Sequence, residues 1–263
     1  MSLHEAARNC NVRQMRRALD AGASPNFRSG VGHVAAIHLL CKTKLNHADK
    51  FPEVRERVGA RLACLHLLRQ SPDFDVNLPN DYGERAIHLS AWHARSSDDV
   101  EFMQAVVDAG ADVNAVTGSR KGTAVHWSIE ARGEPIGAAA AKVDLLIRAG
   151  ASVTARDVDG CTPLDLATFI AERSLGRNVL RLRAMRRVYP VLLAAGAPLP
   201  TEARDTYLLR VMQAGSFANY ARNHLDKLTR MLTPRRGPSS PLRHVPPEVL
   251  RKISAFAFHV GYY

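Results

Sequence analysis

Among the side chains in this sequence that could act in catalysis or bind a metal are eleven histidines and four cysteines. A catalytic thiol needs a base beside it, and a zinc site needs ligands at close spacing. The cysteines contain no C-x-x-C pair, and the chain lacks the G-x-S-x-G, H-E-x-x-H, G-x-x-x-x-G-K-[ST] and H-R-D patterns. We therefore expect no catalytic site, no metal site and no bound cofactor. The cysteines are Cys10, Cys41, Cys64 and Cys161.

Three of the histidines recur at one place in a repeated apolar pattern. In a fourth copy, Asp165 stands where the others have His. Apolar residues at this spacing predict a buried helix, and the Thr-Pro start of the last copy suits a helix N-cap followed by the first helical position. The copies are A-A-I-H-L-L (Ala35–Leu40), R-A-I-H-L-S-A (Arg85–Ala91), T-A-V-H-W-S-I (Thr123–Ile129) and T-P-L-D-L-A-T (Thr162–Thr168).

A second pattern, an apolar helix end followed by Gly-Ala, alternates with the first. A glycine at this place closes the last helical turn in a left-handed conformation. Each unit therefore predicts a helix, a second apolar helix, a glycine turn and an extended segment such as D-V-N-A. The copies are Ala18–Phe27, Val106–Ala115, Leu146–Ala155 and Leu192–Thr201, and Ser71–Asn80 is a fifth copy without the glycine.

The alternating patterns resemble the ankyrin repeat, a unit of about 33 residues with a β-turn and two antiparallel helices. The best matches are D-V-D-G-C-T-P-L-D-L-A and V-V-D-A-G-A-D-V-N-A. The resemblance covers most of the chain. It implies an all-α ankyrin-repeat solenoid of about five repeats over residues 1–200, with β-turn fingers. It also implies that His38, His88 and His126 are structural, each bonding backbone or Thr at the start of its helix.

In the resembling family, partners contact the β-turn tips and the outer residues of the first helices. Trp92 and Tyr82 are the expected anchors, because aromatic residues dominate interface hot spots. The alternative is that Trp92 packs under the loop of its own repeat, and Trp127 is expected in the core. The implied partner-binding set is Asp81, Tyr82, Glu84, Trp92, His93, Arg120, Glu130, Asp159 and Phe169.

Three departures lengthen the repeats: an insertion around Lys42–Gly59, a longer inter-helix loop at A-R-G-E-P-I-G-A-A-A (Ala131–Ala140), and an insertion at Ile170–Val188 that contains the arginine-rich stretch Arg173–Val188. The formal net charge is +11. The arginines predict a helix with a solvated or salt-bridged face, with anion binding as the alternative. No aromatic residues alternate with the arginines, which counts against recognition of single-stranded RNA. The candidate anion-binding residues are Arg177, Arg181, Arg183, Arg186 and Arg187.

The periodicity ends near Pro200. We predict that residues 201–232 form a helical cap or extension. Residues 233–241 are then expected to be a linker, and residues 242–263 a C-terminal helix. That last helix resembles the opening helix of an F-box and the PRANC segment of viral ankyrin proteins, and the resemblance implies binding to a ubiquitin-ligase adaptor. A plain capping helix is the favoured interpretation. The residues implied in adaptor binding are Pro247, Val249, Leu250, Ile253 and Phe256.

Taken together, these features favour a non-enzymatic protein–protein interaction module that binds a partner protein on a concave surface. One alternative is the substrate-recognition subunit of a cullin-type ubiquitin ligase. The other is a structural subunit of a large, RNA-containing assembly docked through the basic C-terminal half. The start of the chain has no apolar signal region, and no window is long and apolar enough for a membrane helix. We expect an intracellular protein, in cytoplasm or nucleus, without membrane insertion or intrinsic oligomerisation.

Overall fold

The computed structural model describes residues 2–42, 51–94, 97–131, 138–200 and 202–232, together with Val249. Over these residues the chain is all-α, as predicted, and one isolated antiparallel bridge joins Ser29 to Val34. The helices are α1 (Leu3–Arg8), α2 (Val12–Asp20), α3 (Ala36–Lys42), α4 (Phe51–Arg69), α5 (Ala86–His93), α6 (Ser97–Asp108), α7 (Ala124–Glu130), α8 (Ala138–Arg148), α9 (Pro163–Ser174), α10 (Val179–Ala194), α11 (Thr206–Gln213) and α12 (Phe217–Leu232).

The first ten helices pack in two rows. Each odd-numbered helix contacts the even-numbered helix that follows it. The odd-numbered helices also contact one another in chain order, from α1 to α9, and the even-numbered helices do the same from α2 to α10. Because each pair covers the apolar side of the next, one continuous core runs through both rows, from Leu3 to Leu193.

The glycine turns lie where the sequence predicts them, at the ends of even-row helices. Gly110 and Gly150 have φ angles of +92° and +90°, a region that residues with a Cβ rarely adopt. The D-V-N-A segment after Gly110 is a turn, so the prediction of an extended segment there is wrong. Its Asn114 joins neighbouring units: the amide donates to the Gly150 carbonyl at 3.0 Å and accepts from the Ser152 N–H at 2.7 Å.

The three recurring histidines are buried and structural, as predicted. In each ring, Nδ1 accepts a hydrogen bond from the backbone N–H three residues earlier, 2.9 Å away for His38 and 3.1 Å for His88. Nε2 then donates to a carbonyl of the next unit, so each ring is neutral. Each histidine therefore closes the start of its own helix and fixes the following unit. The acceptor carbonyls for His38, His88 and His126 are those of Leu78, Ala115 and Cys161.

Two cations cap the C-terminal ends of odd-row helices, where unpaired carbonyls make the helix end negative. Lys142 of α8 is fully buried, and its Nζ donates to the Ala91 carbonyl at the end of α5, 2.6 Å away. The Arg181 guanidinium of α10 donates to the carbonyls of Ile129 and Glu130 at the end of α7, at 2.6 and 3.1 Å. In both cases the cation comes from the second helix of the next unit.

Lys142→Met is expected to lower the free energy of unfolding by about 2 kcal/mol. The unbranched apolar methionine side chain retains most of the packing but leaves buried carbonyls at the end of α5 without their donor, which costs about 1–3 kcal/mol. Urea unfolding followed by tryptophan fluorescence measures the change. Lys227→Met, at an exposed position on α12, is the matched control and should change stability by less than about 0.5 kcal/mol. Equal stability of the two variants would contradict the capping role.

The last two helices lie beyond the repeated pattern, and α12 contacts α10. An aromatic series connects them: the rings of Tyr189 and Tyr207 are 6.1 Å apart, and those of Tyr207 and Tyr220 are 5.3 Å apart. The Arg186 Nε donates to the buried Asp205 carboxylate at 2.9 Å. The predicted linker and C-terminal helix, 233–263, lie outside the described residues except for Val249.

Candidate functional site

A groove of about 390 Å³ opens between α5 and α7 and is bordered by the turns that precede them and by the end of α3. The two helices are neighbours in the odd row, so the groove spans two successive units and the edge of a third. Its lining residues are Lys42, Tyr82, Glu84, Leu89, Trp92, His93, Thr117, Ser119, Arg120, Trp127 and Glu130.

Two tryptophans form the aromatic part of the groove. The rings of Trp92 and Trp127 pack edge to face with their centroids 5.5 Å apart, and the Trp127 ring is 5.8 Å from His88. Both tryptophans are half-buried, whereas Tyr82 at the rim is 55% exposed. Because an aromatic pair holds its rings rigidly, the groove offers a preformed apolar surface at little entropic cost.

The Trp127 indole has a buried Nε1–H with no hydrogen-bond partner among the described residues. Gly122 lies beside it: a Cβ at that glycine would be 3.4 Å from Nε1, an ordinary contact distance. A buried unpaired donor costs about 1–3 kcal/mol, which a leucine or phenylalanine at this position would avoid. Trp127 was expected in the core; its half-buried ring does pack against the core, and it also lines the groove.

Charged groups of both signs surround the aromatic surface. Arg120 Nη1 and Glu130 Oε2 form an ion pair at 2.7 Å, with the arginine side chain 64% exposed. On the other side, Glu84 accepts a hydrogen bond from the buried Asn80 amide at 2.8 Å, and Lys42 contributes a further cation. An exposed pair of this kind adds little to stability, so its main effect is to fix the charge pattern at the rim.

Backbone contacts between successive turn tips hold the rim in place. The Gly118 N–H donates to the Tyr82 carbonyl at 3.2 Å, and the Asp81 N–H donates to the Gly32 carbonyl at 3.1 Å. Gly83 has φ +72°, and a Cβ there would be 2.5 Å from the Gly118 nitrogen. The position of the Tyr82 ring therefore depends on three consecutive tips rather than on its own turn alone.

The structure brings six of the nine predicted partner-binding residues into the groove. Asp81 lies outside it and accepts from His33 Nδ1 at 2.6 Å. Phe169 is exposed, with the Arg173 guanidinium 5.4 Å from its ring centroid, and Asp159 is exposed on a later tip. The pattern did not identify Leu89 and Thr117, which line the groove. The six residues are Tyr82, Glu84, Trp92, His93, Arg120 and Glu130.

The five candidate anion-binding arginines divide into two groups. Arg181 and Arg186 make the internal contacts described above, with α7 and with Asp205, and are partly buried. Arg177, Arg183 and Arg187 are exposed. The arginines therefore do not form one continuous surface of five cations.

Of the residues implied in adaptor binding, Pro247, Leu250, Ile253 and Phe256 lie outside the described residues. Val249 alone is described; it is helical and 42% exposed. Of the insertion around Lys42–Gly59, residues 51–59 form the first half of α4, and 43–50 lie outside the described part.

Cys41 and His38 lie one helical turn apart in α3, but burial keeps both neutral. It raises the pKa of the Cys41 thiol to about 12 and lowers the pKa of His38 to about 4. Burial also raises the pKa of Cys64 to about 12. A thiolate–imidazolium pair, which a cysteine nucleophile needs, is therefore not formed at neutral pH.

In the part of the chain that the structure describes, no three His, Cys, Asp or Glu side chains group in a way that could hold a metal ion. Across the same ranges, every helix is too short or too polar to cross a membrane.

No family model matches the chain. Over 137 residues it is 29% identical to the nuclear factor NF-kappa-B p105 subunit of Gallus gallus. The aligned region covers 52% of this chain but only 12% of that protein. The p105 subunit contains ankyrin repeats, so the similarity points to ankyrin-like repeats here.

Proposed function

We propose that this chain is an ankyrin-repeat solenoid that acts without catalysis and binds a partner protein in the groove between α5 and α7. The two ordered rows of helices, the glycine turns and the recurring histidines all support a repeat architecture. The sequence similarity to a protein that contains ankyrin repeats supports it independently. Stacked repeats expose an extended surface formed by tips and first helices, and the groove lies on that surface.

The observation that carries this proposal is the aromatic pair Trp92–Trp127 with the exposed Tyr82 beside it. Tryptophan and tyrosine supply most hot spots of protein interfaces, particularly where a ring fits a pocket surrounded by polar groups. Here the polar surround is the Arg120–Glu130 pair together with Glu84. A groove of about 390 Å³ has room for one or two side chains of a partner, so an extended peptide crossing the tips suits it.

The mixed charges at the rim favour a partner that carries both acidic and basic residues rather than a polyanion. Arg120 and Glu130 already neutralise each other, so the groove has no uniform positive field that would attract nucleic acid. The partner's apolar residue would fit against Trp92, and neighbouring polar residues would bond to the rim. Specificity would then come from the spacing of those groups.

Trp92→Ala is expected to weaken binding of selected peptides at least about ten-fold, the loss typical of a hot-spot truncation. The peptides would be selected from a displayed library of random sequences on the purified full chain. Their affinities would be measured by fluorescence anisotropy, and Tyr82→Ala should cause a smaller loss in the same direction. Circular dichroism would verify that each variant is folded.

Phe169→Ala is the control, because Phe169 is an aromatic residue outside the groove that is 53% exposed, close to the 55% of Tyr82. Its variant should bind the selected peptides as the wild-type chain does. The proposal fails if the library yields no peptide that prefers this chain, or if Phe169→Ala reduces binding as much as Trp92→Ala.

A further inference from the structure

The turn between α9 and α10 and the first residues of α10 together expose three bulky aliphatic side chains within six residues. Leu175 is 49% exposed, Val179 56% and Leu180 61%. Neighbouring apolar residues of α10, such as Met185 and Val188, are fully buried in the core. Isolated exposed aliphatic residues are ordinary, but a cluster of this kind costs solvation free energy unless another surface covers it.

The exposed side of α10 continues this cluster with two arginines. Leu180, Arg183 and Arg187 are separated by three and then four residues, so they lie along one face of the helix, and all three are exposed. Arg177 precedes the helix in the same turn and is also exposed. We call these residues the α10 patch: Leu175, Arg177, Val179, Leu180, Arg183 and Arg187.

Among the described residues, the arginines of the α10 patch have no acidic partner, whereas the other two arginines of α10 make internal contacts. Arg186 is paired with Asp205, and Arg181 caps α7. Three uncompensated guanidinium groups beside an apolar cluster favour a ligand that brings carboxylates and an apolar surface together.

The aliphatic residues distinguish a protein ligand from a nucleic acid. Nucleic-acid surfaces that bind single strands use aromatic side chains for base stacking, and the α10 patch has none. A double-stranded backbone would contact the arginines but gain nothing from Leu175, Val179 and Leu180. Their exposure is useful only to a partner with its own apolar face.

Charge also argues against occupants from the chain itself. The segment 233–263 carries five Lys or Arg residues and one Glu, so it would be repelled by the patch. A second copy of the chain has the same net charge of +11. Of these three occupants, a different and acidic protein is the one whose charge complements the α10 patch.

We propose that the α10 patch docks an acidic amphipathic segment of a partner protein, at a surface separate from the groove. The apolar face of that segment would cover Leu175, Val179 and Leu180. Its Asp or Glu side chains would pair with Arg183 and Arg187, in the bidentate geometry that arginine and carboxylate favour. The groove lies between odd-row helices, whereas α10 belongs to the even row, so the two surfaces are formed by different elements.

The test uses a fluorescent helical peptide about 18 residues long with leucines on one face and glutamates beside them. Binding to the full chain would be followed by anisotropy. Arg183→Gln/Arg187→Gln and Val179→Ser/Leu180→Ser should each weaken binding at least about ten-fold. A peptide with serines in place of the leucines should bind about ten-fold more weakly than the parent peptide.

Arg16→Gln/Arg17→Gln on α2 removes the same charge from another exposed helix surface and should leave the affinity unchanged. Equal losses in this control and in the α10 arginine variant would overturn the proposal, because binding would then depend on net charge alone. A single-stranded RNA oligonucleotide that binds more tightly than the peptide, and is insensitive to Val179→Ser/Leu180→Ser, would overturn it as well. Circular dichroism would show that the exposed substitutions preserve the helices.

Discussion

Acidification from about pH 7 to pH 4 is expected to reduce the free energy of unfolding by about 6 kcal/mol through two buried histidines. Burial lowers the pKa of His38 and of His88 from 6.5 to about 4. A pKa unit corresponds to about 1.4 kcal/mol, so each ring contributes about 3 kcal/mol over this range. Burial also lowers the pKa of His126, which acts in the same direction.

The sign follows from proton uptake. Between pH 6.5 and about 4, these histidines are protonated in the unfolded chain but neutral in the fold, so the unfolded state binds more protons. Their contribution is complete above pH 6.5 and is lost as the pH falls towards 4. The structure gives the reason. Nδ1 of His88 accepts a hydrogen bond from the Arg85 N–H, and a proton on Nδ1 would place two donors against each other.

Urea unfolding at several pH values between about 7 and 4 measures this effect. The His88→Gln variant lacks the ring that bonds to Arg85 and Ala115, so we expect it to be less stable than the wild-type chain at neutral pH. Because glutamine does not titrate, the variant should lose about 3 kcal/mol less of its free energy of unfolding on acidification. If the variant and the wild-type chain show the same pH dependence, the buried neutral histidine is not the cause. Circular dichroism at each pH would detect partial unfolding of individual helix pairs.

Asp99→Ala is expected to reduce the free energy of unfolding by about 3–5 kcal/mol, the typical cost of leaving a buried charge unpaired. Arg61 of α4 and Asp99 of α6 form an ion pair at 2.6 Å, with side chains only 2% and 7% exposed. The Arg61 guanidinium also lies 4.1 Å from the centroid of the Phe102 ring, and its Nε already lacks a partner. Without Asp99, the buried cation loses its ion-pair partner.

The double variant Arg61→Met/Asp99→Leu supplies the control, since it removes both charges and retains apolar volume. It should recover most of the loss, because apolar replacements of buried pairs are often close to neutral. Chemical denaturation of this double variant and of its two constituent single variants, Arg61→Met and Asp99→Leu, gives the coupling energy. A double variant as unstable as Asp99→Ala would show that packing, rather than the unpaired charge, accounts for the effect.

Much of the helical architecture was predictable because the repeat patterns are local. The apolar spacing around His88 and the glycine after α6 predict a helix and its end from neighbouring residues alone. The roles of His38, His88 and His126 followed from the resemblance to ankyrin repeats, and the structure confirms them. The extended D-V-N-A segment was predicted wrongly, because its Asn forms bonds to the next unit that a single unit does not reveal.

The long-range polar contacts could not be predicted from the pattern. Lys142 and its acceptor Ala91 are 51 residues apart, and Arg61 and Asp99 are 38 apart. In the sequence, Lys142 and Arg181 look like surface charges on amphipathic helices. Their burial depends on how far the second helix of one unit reaches over the first helix of the preceding unit.

By itself, the sequence determined the helices, their glycine ends and their order, since these depend on residues within about one unit of each other. Only the tertiary structure decided that Trp127 lines the groove, that Arg181 is an internal cap, and that Arg183 and Arg187 remain exposed. The physical reason is that solvent exposure of a helix face is set by the neighbouring units. A residue's own repeat fixes the direction of its side chain, but the units beside it fix what that side chain contacts.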